Sequence, residues 1–385
     1  MIKRPITSLL IKPAGPDCNL NCDYCFYLDK KSLFDKDKCR MSNDTLEELI
    51  KQGMQSSGKE INFLWQGGEP TLMGLDFFKK VIELQKKFGR GKIVGNGLQT
   101  NGTLINSEWC SFLKEHNFLV GLSLDGPEIV HDYHRRNINN KGSWKRVMQS
   151  YYQLVQHGVA VNILATISDH SVKHLKETHQ FFKQLNADFI QYIPILETDK
   201  DGIKDLSLKA QDYGYFLTEL WKLWLSDFQK GTAPNIRTFE AIFGNYTRSG
   251  ATECTFSKQC GSYLVVEHNG DIFPCDYYVN SELRFGNIHS DSIKEVLNSN
   301  KKLGFGNQKE LLNSKCKDCD YLYYCFGGCL KNRILIKNKE SYNYYCESYK
   351  SFFELAHYDL LALAKKWQEQ NSKAASKTFD ASGYF

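Results

Sequence analysis

The chain is predicted to be an α/β protein: an incomplete, TIM-like (β/α)6 barrel followed by a smaller cysteine-rich module. Roughly the first 200 residues alternate short apolar runs with longer amphipathic stretches, the pattern of repeated βα units and a parallel sheet. Polar, glycine-bearing loops follow several of the apolar runs. Of thirteen cysteines, eleven gather into a triplet near the N-terminus and a denser group from Cys254 to Cys346. At 385 residues and 42% hydrophobic content, the chain can bury one large core and a second, smaller one.

Taken in order, the predicted strands are Ser8–Lys12, Ile61–Trp65, Lys92–Leu98, Leu119–Leu124, Val159–Thr166 and Phe189–Ile195. Helical patterns separate them at Asn43–Gln55, Leu75–Phe88, Ser107–Glu115, Trp144–Gln156 and Lys173–Leu185, the first and third opening on a polar capping residue. Parallel strands with right-handed crossovers curl into a partial barrel whose working face is the C-terminal end of the strands. The first strand leads into the cysteine triplet. The next three lead into Gln66-Gly67-Gly68-Glu69-Pro70, Gln99-Thr100-Asn101-Gly102 and Ser123-Leu124-Asp125-Gly126-Pro127. Glycine is ordinary in any βα turn, so it is the convergence of these loops beside the triplet that marks a site.

Asp199 to Ser249 reads as polar helix bridging two domains, with Trp221, Trp224 and Phe228 at helical spacing as core packing. From Cys254 onward strands are short and turns carry Gly and Asn, so that module should be organised by metal more than by apolar burial. The expected divisions are residues 1–235 for the barrel with its bridging helices, 236–370 for the cysteine-rich domain and 371–385 for a mobile tail.

The net charge of +5, from 49 basic and 44 acidic residues spread along the chain, is too mild and mixed for a nucleic-acid stripe. A peptide or small substrate fits better. A run of about 18 apolar residues is missing, and the start MIKRPITSLLIKPAG lacks the h-region of a signal peptide. The expectation is a soluble, cytoplasmic protein, with no membrane or nucleic-acid partner and a monomeric state. A disulfide framework suits far shorter secreted chains.

Cys18, Cys22 and Cys25 form CxxxCxxC. Three thiolates on a four-iron cubane leave one iron open to bind and activate a small molecule, whereas structural zinc is normally closed by four protein ligands. With Tyr24 and Phe26 around its third cysteine, the triplet resembles the signature of the radical S-adenosylmethionine (SAM) superfamily. The resemblance implies that the open iron takes the amino and carboxylate groups of SAM, and that one electron splits SAM into methionine and a 5′-deoxyadenosyl radical. It also implies cofactor contacts from the Gln66, Gly67, Gly68, Glu69 and Pro70 loop, whose backbone and acid would receive the methionine ammonium. Thr100 and Asn101 would bond the ribose or carboxylate, with Ser123 on the neighbouring strand. Arg146 is a candidate cation for the carboxylate, though a solvated helix Arg reads the same way, and Leu196 is counted with the cofactor set.

Cys260-x9-Gly270-x4-Cys275, then Cys316-x2-Cys319-x5-Cys325-x3-Cys329 and Cys346, resembles the seven-cysteine pattern of the SPASM domain, with Cys254 as an eighth ligand. Eight thiolates suffice for two fully ligated four-iron clusters, three clusters in all. By the resemblance, Cys254, Cys260, Cys275 and Cys329 hold the nearer auxiliary cluster, and Cys316, Cys319, Cys325 and Cys346 the farther. Cys39 and Cys110 are left as ordinary thiols. A zinc ribbon of Cys316, Cys319, Cys325 and Cys329 stands as an alternative, but leaves four other cysteines unexplained.

Closed clusters accept electrons and cannot bind SAM, which points to two-electron oxidation of a substrate and to a base for the departing proton. Asp276 follows Cys275 directly and is the candidate. The segments CNLNCDYCFYLDKKSLF, GGEPTLMGLDFF, LQTNGTLI, VGLSLDGP and FPCDYYV resemble the anaerobic sulfatase-maturating enzymes over about residues 8 to 357. The resemblance implies oxidation of a Cys or Ser β-carbon, in a CxPxR-like or SxPxR-like segment of an unfolded or nascent sulfatase polypeptide, to C-formylglycine. It makes Asp276 the base, places Tyr27 beside the substrate, and implies an electron donor such as flavodoxin or ferredoxin. The peptide would enter near His131 and Arg135, whose charged run HDYHRRN reads equally as a solvated loop. Two alternatives remain at this level: a SPASM maturase acting on a ribosomal peptide precursor, and a zinc-stapled binding or scaffold protein.

Overall fold

A computed structural model describes residues 4–34, 38–199, 202–335 and 341–379. The chain divides into two units, Met1–Ser207 with Gly261–Gln308, and Leu208–Cys260 with Lys309–Phe385. This differs from the division read from the sequence. The helix after residue 207 goes with the second unit, and residues 261–308 go with the first.

In the first unit, β1 (Ile6–Lys12), β2 (Ser57–Trp65), β3 (Ile93–Thr100), β4 (Leu119–Ser123), β5 (Ala160–Ile167) and β6 (Phe189–Pro194) lie side by side in chain order. Every neighbouring pair is parallel. Helices α1 (Asn43–Ser56), α2 (Leu75–Phe88), α3 (Ser107–Glu115), α4 (Glu128–His134), α5 (Trp144–Gln156), α6 (Asp169–Lys173) and α7 (Leu175–Gln184) supply the crossovers. The caps of α1 and α3 lie one residue before the expected ones. Ser42 accepts from Thr45 N at 3.1 Å, and Asn106 accepts from Trp109 N at 3.0 Å. This is the partial (β/α)6 barrel expected, with the fully buried Leu9, Ile11, Ile61, Phe63 and Trp65 packed on Phe78 of α2. Within that core Phe78 meets the Trp109 ring edge-on at 5.3 Å.

The free edge of β1 is filled from far along the chain. Strand Leu264–Glu267 pairs with it in parallel, Leu9 opposite Leu264 and Lys12 opposite Glu267. Asp271–Phe273 then turns back antiparallel, Val265 opposite Phe273. Segment 261–308 thereby extends the barrel sheet, and its apolar strand loses less by covering an open edge than by standing alone.

The second unit holds α8 (Ala210–Gln229), α9 (Arg237–Tyr246) and a C-terminal helix, Cys346–Phe379. Trp221 is buried, stacks on Trp224 at 5.0 Å and meets Phe352 edge-on at 5.7 Å, as expected of core. Phe228 stacks on Trp224 but is half exposed at the helix end. The expected tail begins inside the last helix, which runs to Phe379; residues 380–385 lie outside the described residues. Among the described residues, no helix is long and apolar enough to cross a membrane.

Candidate active site

The loop after β1 carries the triplet and is built by backbone bonds. Gly15 N donates to Lys12 O at 3.0 Å, and Cys25 N to Cys22 O at 3.0 Å. The loop after β2 docks directly on it, with Gly68 N donating to Gly15 O at 2.7 Å and Glu69 N to Asp17 O at 2.8 Å. A Cβ at Gly68 would collide with the Asp17 carbonyl, and Gly67 sits at φ 129°, so glycine is required at both positions. Gln66 is partly buried and bonds back to β1, its N–H donating to Ile11 O at 2.8 Å; Pro70 opens the short turn that follows.

Glu69 is wholly buried, and four donors fill its carboxylate. Thr71 N and Thr100 Oγ1 reach Oε1 at 3.0 and 2.7 Å, Thr71 Oγ1 reaches it at 2.5 Å, and Asn101 N reaches Oε2 at 2.7 Å. Burial holds its carboxyl above the usual carboxylate range despite these bonds. The acid is thus the strut joining the loops after β2 and β3. The side chains of Thr100 and Asn101 are likewise engaged. Asn101 Nδ2 reaches Asn19 Oδ1 at 2.9 Å and Cys18 Sγ at 3.6 Å, while its Oδ1 accepts from Thr103. Ser123 accepts from Gln99 Nε2 at 3.1 Å, and Leu196 is buried just past β6.

Burial pushes the thiols of Cys18 and Cys22 up to about 11 and about 12. Such thiols stay protonated until a metal displaces the proton. With Leu20 N also directed at Cys18 Sγ, at 3.4 Å, the triplet has the donor set and the N–H···S bonds a cubane takes.

Three charged residues fall elsewhere than expected. His131 is fully buried, accepts from Asp125 N at 3.3 Å and pairs with Ser143 Oγ at 2.9 Å; burial drives its pKa down to about 3. Arg135 is buried too, bonding Asp125 Oδ2 at 2.9 Å beneath the Tyr24 ring. Burial alone would raise the Asp125 carboxyl, but the guanidinium and His131 bring it below its ordinary value. His131 therefore ties α4 to the loop after β4 and to Ser143, while Arg135 links Asp125 to Tyr24 of the triplet loop; a buried cation is stable only when paired. Arg146 is exposed and donates to the carbonyls of Thr103 and Ile105 at 2.8 and 3.0 Å, which engages the guanidinium expected for the SAM carboxylate.

Tyr27 is buried, and its hydroxyl donates to Glu267 Oε1 at the end of the added strand. Lys12 Nζ sits 3.5 Å from the centre of the Tyr27 ring, 0% exposed and without a hydrogen-bond partner among the described residues. Burial lowers its pKa, and the carboxylates of Asp276 and Glu267 work against that fall. Asp276 is partly exposed, its Oδ1 accepting from Tyr263 Oη at 3.0 Å and lying 3.4 Å from Cys275 Sγ. Lys12, Glu267, Tyr263 and Lys302 were not signalled by sequence; only the pairing of β1 with Leu264–Glu267 could have found the first two.

In the second unit, burial, reinforced by neighbouring thiols that include Cys260, raises the pKa of Cys254 and Cys329, and the same three thiols act on the buried Lys309. Its Nζ donates to the carbonyls of Cys254 and Thr255 at 2.5 and 2.9 Å. Cys316, Cys319, Cys325 and Cys346 form a second interacting set. Each set has the thiol chemistry to hold an iron–sulfur cluster.

Residues 13–182 match the model of the radical SAM superfamily, and residues 254–320 that of an iron-sulfur cluster-binding domain, SPASM. Fold and cysteine loop together define a radical SAM enzyme with auxiliary-cluster machinery, which uses SAM and iron–sulfur clusters. The chain is 36% identical over 368 residues to the serine-type anaerobic sulfatase-maturating enzyme of Bacteroides thetaiotaomicron, covering 90% of this chain and 88% of that one. It is also 36% identical over 368 residues to the cysteine-type enzyme of Clostridium perfringens, covering 94% and 99%. The solved structure of native anSMEcpe with bound AdoMet and Cp18Cys peptide superposes with a TM-score of 0.87 at 35% identity, over 94% of this chain and 99% of that one. The chain belongs to the family of anaerobic sulfatase-maturating enzymes.

Proposed function

We propose that this enzyme oxidises the β-carbon of a Cys or Ser in an unfolded or nascent sulfatase polypeptide to C-formylglycine. Cys18, Cys22 and Cys25 would hold the cluster that binds SAM, with the Gly67–Pro70 backbone as the amino-group contact. The thiols from Cys254 to Cys346 would hold the auxiliary clusters as the family pattern assigns them. When bound, SAM on its cluster supplies hydrogen abstraction from an unactivated carbon, and the closed clusters supply electron acceptance. The substrate side chain then loses one β-hydrogen atom, one proton and one further electron. From Cys the product is a thioaldehyde, which water hydrolyses with release of sulfide.

Asp276 takes the proton from the substrate thiol or hydroxyl, because its carboxylate is partly exposed beside Cys275 and, among the described residues, only Oδ1 carries hydrogen bonds. Tyr27 closes the floor over Lys12 and Glu267 and shields the reacting carbon from water. The pairing of Asp276 with Cys275 is the observation that best supports this reading. It extends to a cytoplasmic reaction supplied with electrons by a flavodoxin or ferredoxin.

The test is anaerobic incubation of the reconstituted enzyme with SAM, a reductant and peptides carrying CxPxR or SxPxR. The expected result is mass loss at the Cys or Ser with release of 5′-deoxyadenosine. Formation of 5′-deoxyadenosine with both peptides unchanged would overturn the sulfatase assignment.

A further inference from the structure

We infer that Tyr263 is a positioning residue for the proton acceptor, fixing which oxygen of Asp276 faces the substrate. This rests on Asp276 being that acceptor. The hairpin in which Val265 stands opposite Phe273 brings Tyr263, two residues back, level with Cys275, two residues on. The phenol oxygen then lies 3.0 Å from Asp276 Oδ1 and 3.4 Å from Cys275 Sγ. Its O–H donates to Oδ1. Oδ2 makes no hydrogen bond among the described residues, so the oxygen left available to a substrate proton is the one pointing away from the phenol.

The phenol itself is held in place. Lys302, 1% exposed, donates from Nζ to Tyr263 O at 2.7 Å and to Pro274 O at 2.8 Å, clamping both arms of the hairpin immediately beside Tyr263 and Cys275. A buried ammonium bound to two carbonyls costs too much desolvation to be incidental packing, and releasing either arm would strand it. Burial lowers the pKa of Lys12, and the Asp276 carboxylate is the foremost group opposing that fall. A hydrogen bond to a charged acceptor restrains a carboxylate far better than one in water does. The same O–H lies within reach of the Cys275 sulfur, and hydrogen bonds to a cluster sulfur raise its reduction potential. One phenol thus touches both the group that receives the proton and a ligand of the electron acceptor.

The reconstituted full chain is compared with Tyr263→Phe, which keeps the ring, and Asp276→Asn, using the CxPxR peptide. In Tyr263→Phe, aldehyde formed per 5′-deoxyadenosine falls about tenfold, the worth of one hydrogen bond to a charged group, while peptide KM is unchanged. The reduced auxiliary cluster of the unaltered enzyme shows an exchangeable proton, coupled to its electron spin, that disappears in Tyr263→Phe; the midpoint potential of that variant moves negative. A merely structural role would move neither. An unchanged ratio in Tyr263→Phe, with aldehyde lost in Asp276→Asn, overturns this proposal alone. Full aldehyde from Asp276→Asn overturns the base assignment and this proposal with it. Should Tyr263→Phe fail to retain iron, the exchangeable proton in the unaltered enzyme decides, and its absence overturns the proposal.

Discussion

The barrel unit and the cysteine-rich unit present thiols in opposite ways. In the first, Cys18, Cys22 and Cys25 ride on a loop tied by Gly68, Glu69 and Asn101 to neighbouring strands, above a continuous apolar core. In the second, the cysteines sit on turns as short as Cys254–Phe256, Ser314–Lys317 and Leu322–Cys325, and much of the local bonding goes to the charged Lys309 and Arg333. The difference teaches that protein contacts tie the first site to its core, whereas the second rests on short turns and on carbonyl bonds to Lys309 and Arg333, the arrangement expected of a module organised by metal.

Removing iron is the strongest way to break that contrast. On chelation, amide-exchange protection should vanish across residues 254–260, 309–335 and 341–346 while β1 to β6 stay protected; uniform loss, or none, would erase the distinction. Asp276→Asn should next lower aldehyde formation by about 10²–10⁴-fold with 5′-deoxyadenosine release retained, as read by mass spectrometry. A loop tied to its core should also be intolerant of volume. Gly68→Ala must push against the Asp17 carbonyl, at a cost of about 1–3 kcal/mol in urea denaturation of the metal-free chain, with weaker SAM binding after reconstitution.

His131 sharpens the same contrast through pH. Its pKa is about 3 in the folded barrel against 6.5 for an ordinary histidine, so the unfolded chain binds more protons between those values. Its contribution is complete above about 6.5 and is lost as pH falls toward 3. His131→Gln should flatten the acid slope of barrel stability followed by tryptophan fluorescence. Smallest of all, Arg146→Met should cost under about 1 kcal/mol and leave SAM affinity unaltered, because the guanidinium is exposed and bonds its own neighbourhood.

The strands and helices of the barrel were legible because periods of two and 3.6 residues are local properties of a sequence. Strand Leu264–Glu267 was not legible as part of that sheet. Its partner is β1, some 250 residues away, and parallel register across that distance leaves no local trace. His131 and Arg135 read as a solvated charged run for another reason: their partner Asp125 is near in sequence, but only the turn after β4 folds it back onto α4.

By itself the sequence determined the order of βα units, the CxxxCxxC spacing of Cys18, Cys22 and Cys25, and the adjacency of Cys275 to Asp276. These are fixed by neighbours within a few residues, where propensity and ligand chemistry act directly. Tertiary structure alone decided that Glu69 is a strut, that Lys12 and Lys302 are buried, and that Tyr263 meets Asp276. Each of these depends on which strand lies beside which, and burial then makes every polar atom answer to the partner that packing supplies.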